Sequence, residues 1–99
     1  MGEFEQIVLL AILRLGNEAY GMEVRVEIER RTGRDVSYGA VYTALDRLLR
    51  KGFVSHTLGE PTPERGGRAK KYFRVEPAGK AALGATRRAL NVMWEGVSI

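Results

Sequence analysis

Residues 37–52 read SYGAVYTALDRLLRKG, and this stretch decides the fold. Its apolar residues recur at helical spacing and form one seam, made of Val41, Leu45, Leu48 and Leu49. Ser37 is a favourable N-cap and Gly52 a favourable stop, so the pattern predicts a helix from Tyr38 to about Lys51. The opposite face carries Gly39, Thr43, Asp46, Arg47 and Arg50, with Tyr38 and Tyr42 on the flank. One side of this helix is therefore anchored and the other is open.

The preceding residues predict two more helices. The first covers residues 4–15 and has two apolar stripes: Phe4, Ile7, Val8, Ala11 and Leu15 on one side, and Leu9, Leu10 and Leu13 on the other. A helix that is apolar all round must be covered all round, so the second stripe needs a partner beyond the helix's own core. The second helix runs from Gly21 to about Thr32, with Val24 and Ile28 inward and Glu23, Glu27, Arg30 and Arg31 outward.

The residues that follow predict a β-hairpin and a last helix. Phe53–Leu58 and Lys70–Val75 alternate as strands do, and residues 59–68, with two prolines and paired glycines, predict the connecting loop. The last helix runs from Pro77 to about Glu95. Its heptad-like seam consists of Ala82, Thr86, Ala89 and Met93, widened by Leu83, Leu90, Trp94 and Val97.

This order of elements predicts a mainly α fold with a small β-hairpin, a winged helix-turn-helix over residues 1–76 followed by a last helix over residues 77–99. A chain of 99 residues has room for one structural unit of this kind. The major groove of B-DNA, about 12 Å wide, admits one helix with short polar side chains on its outer face. The candidate DNA contacts on the helix are Ser37, Tyr38, Gly39, Tyr42, Thr43, Arg47, Arg50 and Lys51, and those on the wing are Arg65, Gly66, Gly67, Arg68, Lys70 and Lys71.

The charge distribution supports a polyanionic partner. Between Arg47 and Arg74 eight basic residues stand against two acidic ones, which gives this segment +6 and leaves −2 for the rest of a chain whose net charge is +4. Such a block fits nucleic acid. Two plainer interpretations remain open from the residues alone: the arginines could be ordinary solvated surface, and Ser37 could serve only as an N-cap or bind a phosphate at the helix N-terminus.

Several other classes of function are disfavoured. The chain has no cysteine, which excludes disulfides, thiolate zinc sites and cysteine nucleophiles, and no metal-ligand spacing or nucleophile–base pair is present. His56, the single histidine, is expected at an exposed or edge position of a strand. We therefore expect no enzyme activity, cofactor or metal. The acidic N-terminus and short apolar runs predict a soluble, cytoplasmic protein without membrane contact.

Two other binding functions were weighed. A winged helix that docks only to protein would usually lack basic residues on its third helix and wing, where this chain concentrates them. An RNA-binding sheet would interleave aromatic residues with the basic ones on an open face, and this pattern is missing. Binding to double-stranded DNA is therefore the favoured interpretation, with the protein-docking module as the alternative.

Five segments resemble the PadR family of bacterial transcriptional regulators: 2–6 (GEFEQ), 19–21 (AYG), 37–48 (SYGAVYTALDRL), 51–54 (KGFV) and 59–68 (GEPTPERGGR). The resemblance covers nearly the whole chain and implies a homodimer on a palindromic operator, usually a repressor. It also implies that the last helix packs on the partner's first helix, which would use the excess apolar surface of residues 4–15. The resemblance is to the small subgroup with a single C-terminal helix.

The resemblance implies an interface and a ligand as well. The dimer interface is expected at Phe4, Leu9, Leu10, Leu13, Ala82, Thr86, Ala89, Leu90, Met93 and Trp94. Some relatives bind phenolic or aromatic effectors between subunits, and Met93 and Trp94 occupy a comparable region, although Trp94 could simply fill the interface. Two departures affect the expected dimer geometry: Glu76-Pro77 replaces the usual Thr-Pro, and Gly84 interrupts the last helix.

Overall fold

The computed structural model describes residues 1–61 and 69–99. Its elements, in chain order, are α1 (Glu3–Arg14), β1 (Ala19–Tyr20), α2 (Gly21–Thr32), α3 (Tyr38–Arg50), β2 (Val54–Pro61), β3 (Ala69–Val75) and α4 (Pro77–Trp94). The strands form an antiparallel sheet in the order β1-β3-β2. The predicted mainly α fold with a β-hairpin is confirmed.

The core lies where α1, α2 and α3 meet the sheet. Its largest fully buried side chains are Phe73, Leu9, Ile12, Ile28, Leu45, Leu48, Val8, Val24 and Val41. Three of these, Val41, Leu45 and Leu48, belong to the predicted seam of α3, and the fourth seam residue, Leu49, is half-buried. Full burial of an apolar side chain of this size is worth about 1.5–3 kcal/mol. The seam therefore fixes which face of α3 remains outside.

Two inferences about side-chain facing were wrong. Leu9 was expected at a dimer interface, but it has no exposed surface in the protomer and belongs to its core. Glu27 was expected in solvent, but it is 5% exposed and lies among Arg14, Arg30 and Arg31. The hydrogen bond from Arg30 lowers the pKa of Glu27, and the charges of all three guanidinium groups act in the same direction against the opposing effect of desolvation. This ionic environment lets a carboxylate occupy a covered position.

The sheet contains more than the predicted hairpin. The two-residue β1 was not predicted; it pairs Ala19 with Phe73 and Tyr20 with Tyr72. The predicted loop at 59–68 was also too long at its start, because β2 continues to Pro61, which pairs with Ala69 after a shift in register. Proline is tolerated there because β2 is an edge strand of the sheet, and an edge strand can lose one N–H without breaking a ladder on its outer side.

The turn after α1 is tied to the sheet by one side chain. Gly16 and Asn17 both have positive φ, at 86° and 59°. Asparagine is among the residues that tolerate this region best, and here its amide also substitutes for a strand. The Asn17 Oδ1 accepts from the Val75 N–H at 2.7 Å, and its Nδ2 donates to the Val75 carbonyl at 3.3 Å. Both backbone groups of Val75 are thereby satisfied.

The start of α4 is fixed against β2. Pro77 takes the first helical position, as expected, and Glu76 makes no side-chain cap. Its carboxylate accepts instead from the Ser55 hydroxyl, and its N–H donates to the Phe53 carbonyl at 2.9 Å. Gly79 is the buried residue of α4, because the helix passes so close to Phe53 that no side chain fits.

We predict that Gly79→Ala destabilises the protein by about 1–3 kcal/mol, the usual cost of overpacking. The added Cβ would overlap the Phe53 carbonyl oxygen and lie 2.9 Å from Val75 Cγ1. The measurement is urea-induced unfolding at one fixed protein concentration. Gly39→Ala is the matched control, since its added Cβ meets no other part of the described structure and should stabilise α3 by up to about 1 kcal/mol. Equal effects of the two variants would contradict this account.

Candidate nucleic-acid interface

The outer face of α3 is open and fixed in position. Ser37, Tyr38, Gly39, Thr43, Arg47 and Arg50 are all exposed, and apart from the adjacent backbone of α3 and the two chain neighbours, no atom of the described residues lies within 4 Å of the place where a Gly39 Cβ would stand. The Ser37 Oγ accepts from the Ala40 N–H at 3.1 Å, so the capping role considered from sequence is present. Because Ser37 is also exposed, its hydroxyl lies at the surface beside the free N–H groups of the first turn.

Tyr42 does not share that open face. Its ring packs against Gly21 so closely that a Cβ there would lie 2.5 Å from Tyr42 Cε2, and it meets Phe73 edge-on with 6.3 Å between ring centroids. Burial raises the pKa of Tyr42 to about 12, with the neighbouring Tyr38 adding to the shift. Tyr42 is half-buried and joins α3 to α2 and the sheet, while its contact with DNA stays a prediction. Tyr38, whose ring lies 4.7 Å from that of Tyr42, is the exposed member of the pair.

Lys51 is exposed, but its ammonium is engaged in an ion pair within the protein. Its Nζ lies 2.7 Å from Oε1 of Glu5, a carboxylate on α1 that is 8% exposed. Moving the ammonium to a phosphate would leave a covered carboxylate unpaired, which is costly. Lys51 stays a predicted DNA contact, and the structure adds an ion pair in which it joins the end of α3 to α1.

The wing residues divide between the described strands and residues 62–68. Lys71 is exposed on β3. Lys70 places its Nζ 4.2 Å from the centre of the Tyr20 ring, and that ring meets Tyr72 edge-on at 5.8 Å. A cation over an aromatic face is attracted by it, so Lys70 helps to attach β3 to the start of α2. The predicted wing contacts Arg65, Gly66, Gly67 and Arg68 lie outside the described residues.

A second surface lies away from α3. A groove of about 550 Å³ separates α1 from α4, lined by Gln6, Leu10, Leu13, Lys80, Leu83, Gly84, Arg87, Leu90, Asn91 and Trp94. Leu10 is 49% exposed, and towards the end of α4 Met93 and Trp94 are 74% and 52% exposed. Phe4, Ala82 and Thr86 are half-buried, while Ala89 and Leu90 are exposed. Apart from Leu9, the residues expected at a dimer interface therefore have surface available to a second chain.

The described part of the chain has neither a metal-binding cluster nor a membrane-spanning helix. Within residues 1–61 and 69–99, no three His, Cys, Asp or Glu side chains are grouped in a way that could hold a metal ion. Within the same ranges, no helix combines the length and the apolar character needed to cross a lipid bilayer.

The described elements define a winged helix-turn-helix protein. F93 from STIV, a winged-helix DNA-binding protein, has the same fold with a TM-score of 0.71 and 20% identity over 91% of this chain and 89% of that one. A PadR family regulator from Clostridium difficile gives a TM-score of 0.73 and 21% identity over 93% and 92% of the two chains. A transcriptional regulator from Clostridium thermocellum gives 0.75 and 22% over 92% and 82%.

The sequence gives the family. Residues 9–85 match the model of the transcriptional regulator PadR-like family. The chain is also 39% identical over 96 residues to the transcriptional regulator Rv3488 of Mycobacterium tuberculosis, covering 92% of this chain and 83% of that protein. The protein belongs to the PadR-like family, so its class is that of a DNA-binding transcriptional regulator. The resemblance inferred from the five segments is confirmed.

We predict that Lys51→Ala and Arg50→Ala, which remove the same charge from adjacent residues, have different effects. Lys51→Ala should lower the free energy of unfolding by about 1 kcal/mol, because the largely buried carboxylate of Glu5 loses its ion-pair partner. Arg50→Ala should leave unfolding within about 0.5 kcal/mol of the wild type, as expected for a surface position. Thermal unfolding and DNA binding are measured on both.

Glu5→Gln/Lys51→Ala serves as the control, since it removes both charges and should recover most of the loss. The assignment fails if Lys51→Ala is as stable as Arg50→Ala while binding DNA more weakly than it does.

Proposed function

We propose that the protein is a homodimeric repressor that binds a palindromic DNA operator, with residues 1–76 binding DNA and residues 77–99 forming the dimerisation helix. The observation that carries the proposal is the division of α3 into two faces. Val41, Leu45 and Leu48 are completely buried, while the opposite side presents small and basic groups to solvent. A helix held in this way can enter a major groove without rearrangement of its own side chains.

The outer face of α3 suggests how the work of recognition is divided. Gly39 and Thr43 are short enough for the helix to approach base edges, and Tyr38 stands beside them at the start of the helix. Arg47 and Arg50 follow one and two turns later, where their long side chains suit phosphates. Lys71 and the loop arginines Arg65 and Arg68 supply further positive charge to the flanking DNA, mainly as affinity without sequence information.

The groove between α1 and α4 supports the second half of the proposal. A monomer with Leu10, Leu90, Met93 and Trp94 at its surface exposes a contiguous apolar region of the kind that marks an interaction site. A second copy can supply the apolar helix that fills it. A two-fold symmetric dimer would place two copies of α3 on successive half-sites, one helical turn apart, which is why we propose a palindromic operator.

The test of DNA recognition uses the duplex that the wild-type protein selects from a random library, and its single-base variants. Thr43→Ala should change the order of preference among the variants, because a base contact is lost. Arg47→Ala should weaken binding to all of them by a similar factor and reduce the dependence of affinity on salt by about one unit of slope. Affinities are measured by fluorescence anisotropy at several salt concentrations. Indistinguishable profiles for the two variants would refute these roles, and no affinity for any duplex at low salt would refute the function.

We predict that Leu10→Glu converts the dimer to monomers, because it places a charge at the centre of the apolar region. Met22→Glu is the matched control: Met22 is 41% exposed on α2 and does not line the groove between α1 and α4. Sedimentation velocity of both variants at equal concentration measures the result. Monomers in both, or dimers in both, would rule out this surface as the interface.

The proposal includes release by an aromatic or phenolic effector that binds beside Met93 and Trp94. Trp94 is the single tryptophan, so its fluorescence reports directly on that region. Titration of aromatic acids and drug-like phenols into the dimer should quench it and weaken DNA binding over the same concentration range. If no compound of a broad panel quenches Trp94, the residue is an interface side chain without a ligand role.

A further inference from the structure

The turn between α2 and α3 contains one residue whose backbone is held entirely by side chains. The Arg25 Nε donates to the Val36 carbonyl at 2.9 Å, and the Glu29 Oε2 accepts from the Val36 N–H at 3.1 Å. The two side chains also form an ion pair one helical turn apart, with Arg25 Nη2 3.7 Å from Glu29 Oε2. Two hydrogen bonds therefore connect α2 to the backbone of Val36, and the ion pair within α2 links the two side chains that make them.

Val36 has a specific place in the molecule. It is the residue directly before Ser37, the N-cap of α3, and its side chain is 7% exposed in the core. The covered backbone groups of such a residue require partners, and here no other described residue supplies them through its backbone. Because the core holds its side chain and α2 holds its N–H and carbonyl, Val36 is fixed in both position and orientation.

We propose that Arg25 and Glu29 are positioning residues for DNA recognition. By holding both backbone groups of Val36, they set the direction in which the chain enters α3, and so the placement of Ser37, Tyr38 and Gly39 against the bases. Neither residue needs to touch DNA for this. The inference rests on the proposed function and adds to it a determinant of sequence preference that lies on α2.

The geometry gives each side chain a distinct contribution. The Arg25 guanidinium donates to the carbonyl through Nε while its Nη2 faces the Glu29 carboxylate, an arrangement that a lysine cannot reproduce. Glutamate at 29 requires only one oxygen for the Val36 N–H, so glutamine preserves that hydrogen bond and loses only the charge. Alanine at either position removes one of the two hydrogen bonds to the Val36 backbone.

The first measurement needs no DNA. Amide hydrogen exchange of Val36, followed by NMR in the free protein, should become about fivefold faster in Glu29→Ala, the factor expected for loss of a typical hydrogen bond. Glu29→Gln should remain close to wild type. Arg30→Ala is the matched control, because it removes the same charge as Arg25→Ala and also breaks an ion pair of α2, but does not touch the turn. Faster exchange at Val36 in Arg30→Ala, or an unchanged exchange rate in Glu29→Ala, would overturn the proposal that these side chains hold the Val36 backbone.

The second measurement compares affinities for the selected duplex and for a scrambled duplex. Arg25→Ala and Glu29→Ala should each reduce the ratio of affinity for the selected duplex to affinity for the scrambled duplex by about tenfold, the scale of one lost base contact. The affinity for the scrambled duplex should change little. Glu29→Gln should keep the wild-type ratio. A role in stability alone would lower both affinities together, in parallel with the melting temperature, and that result would overturn the proposal.

Failure of the proposed function can be distinguished from failure of the positioning role. If the wild type does not discriminate between the two duplexes, the proposed function is wrong and the inference falls with it. If the wild type discriminates and both alanine variants keep its ratio, the proposed function stands and the positioning role alone is refuted.

Discussion

The burial of the α3 seam is the interaction on which the rest of the structure depends. Val41, Leu45 and Leu48 have no exposed surface, and all three belong to the one core cluster that α1, α2, α3 and the sheet share. Because a helix has one rotational setting that buries all three, the outward position of Thr43, Arg47 and Arg50 follows from core packing. Residues that never meet a ligand thus determine which residues can.

Around this seam, side chains make hydrogen bonds to backbone groups that are usually paired with other backbone groups. Asn17 pairs with Val75 as a neighbouring strand would, and Arg25 and Glu29 hold Val36 between two helices. Both devices act at irregular positions, where the chain leaves one element and enters the next. In a domain of this size, few residues are available to build additional layers, so single side chains maintain the angles between elements.

The sequence predicted the long, periodic elements well and the short or irregular ones poorly. Helical spacing and caps identified all four helices to within about one residue at each end. The two-residue β1 has no periodicity to detect, and its pairing with β3 depends on how distant segments meet. The extension of β2 to Pro61 was hidden because proline and glycine ordinarily indicate a loop.

The candidate site shows a similar division. The exposed residues of α3 could be predicted because positions on one face of a helix recur every 3.6 residues. The true positions of Tyr42 and Lys51 could not, since each depends on a partner far away in sequence: Gly21 for the ring and Glu5 for the ammonium. Leu9 and Glu27 were misassigned for a related reason: Leu9 is covered by the protomer's own core, and Glu27 is paired with Arg14, which comes from another helix.

The weak attachment of α4 to its own protomer has a consequence for the stability of the protein. Gly79 is the buried residue of this helix, and everything after it has little core of its own. Isolated helices of this length are marginal in water, so in the proposed dimer a second copy would add to the stability of the distal turns. By mass action, that added stability would grow with protein concentration, and so would the melting temperature.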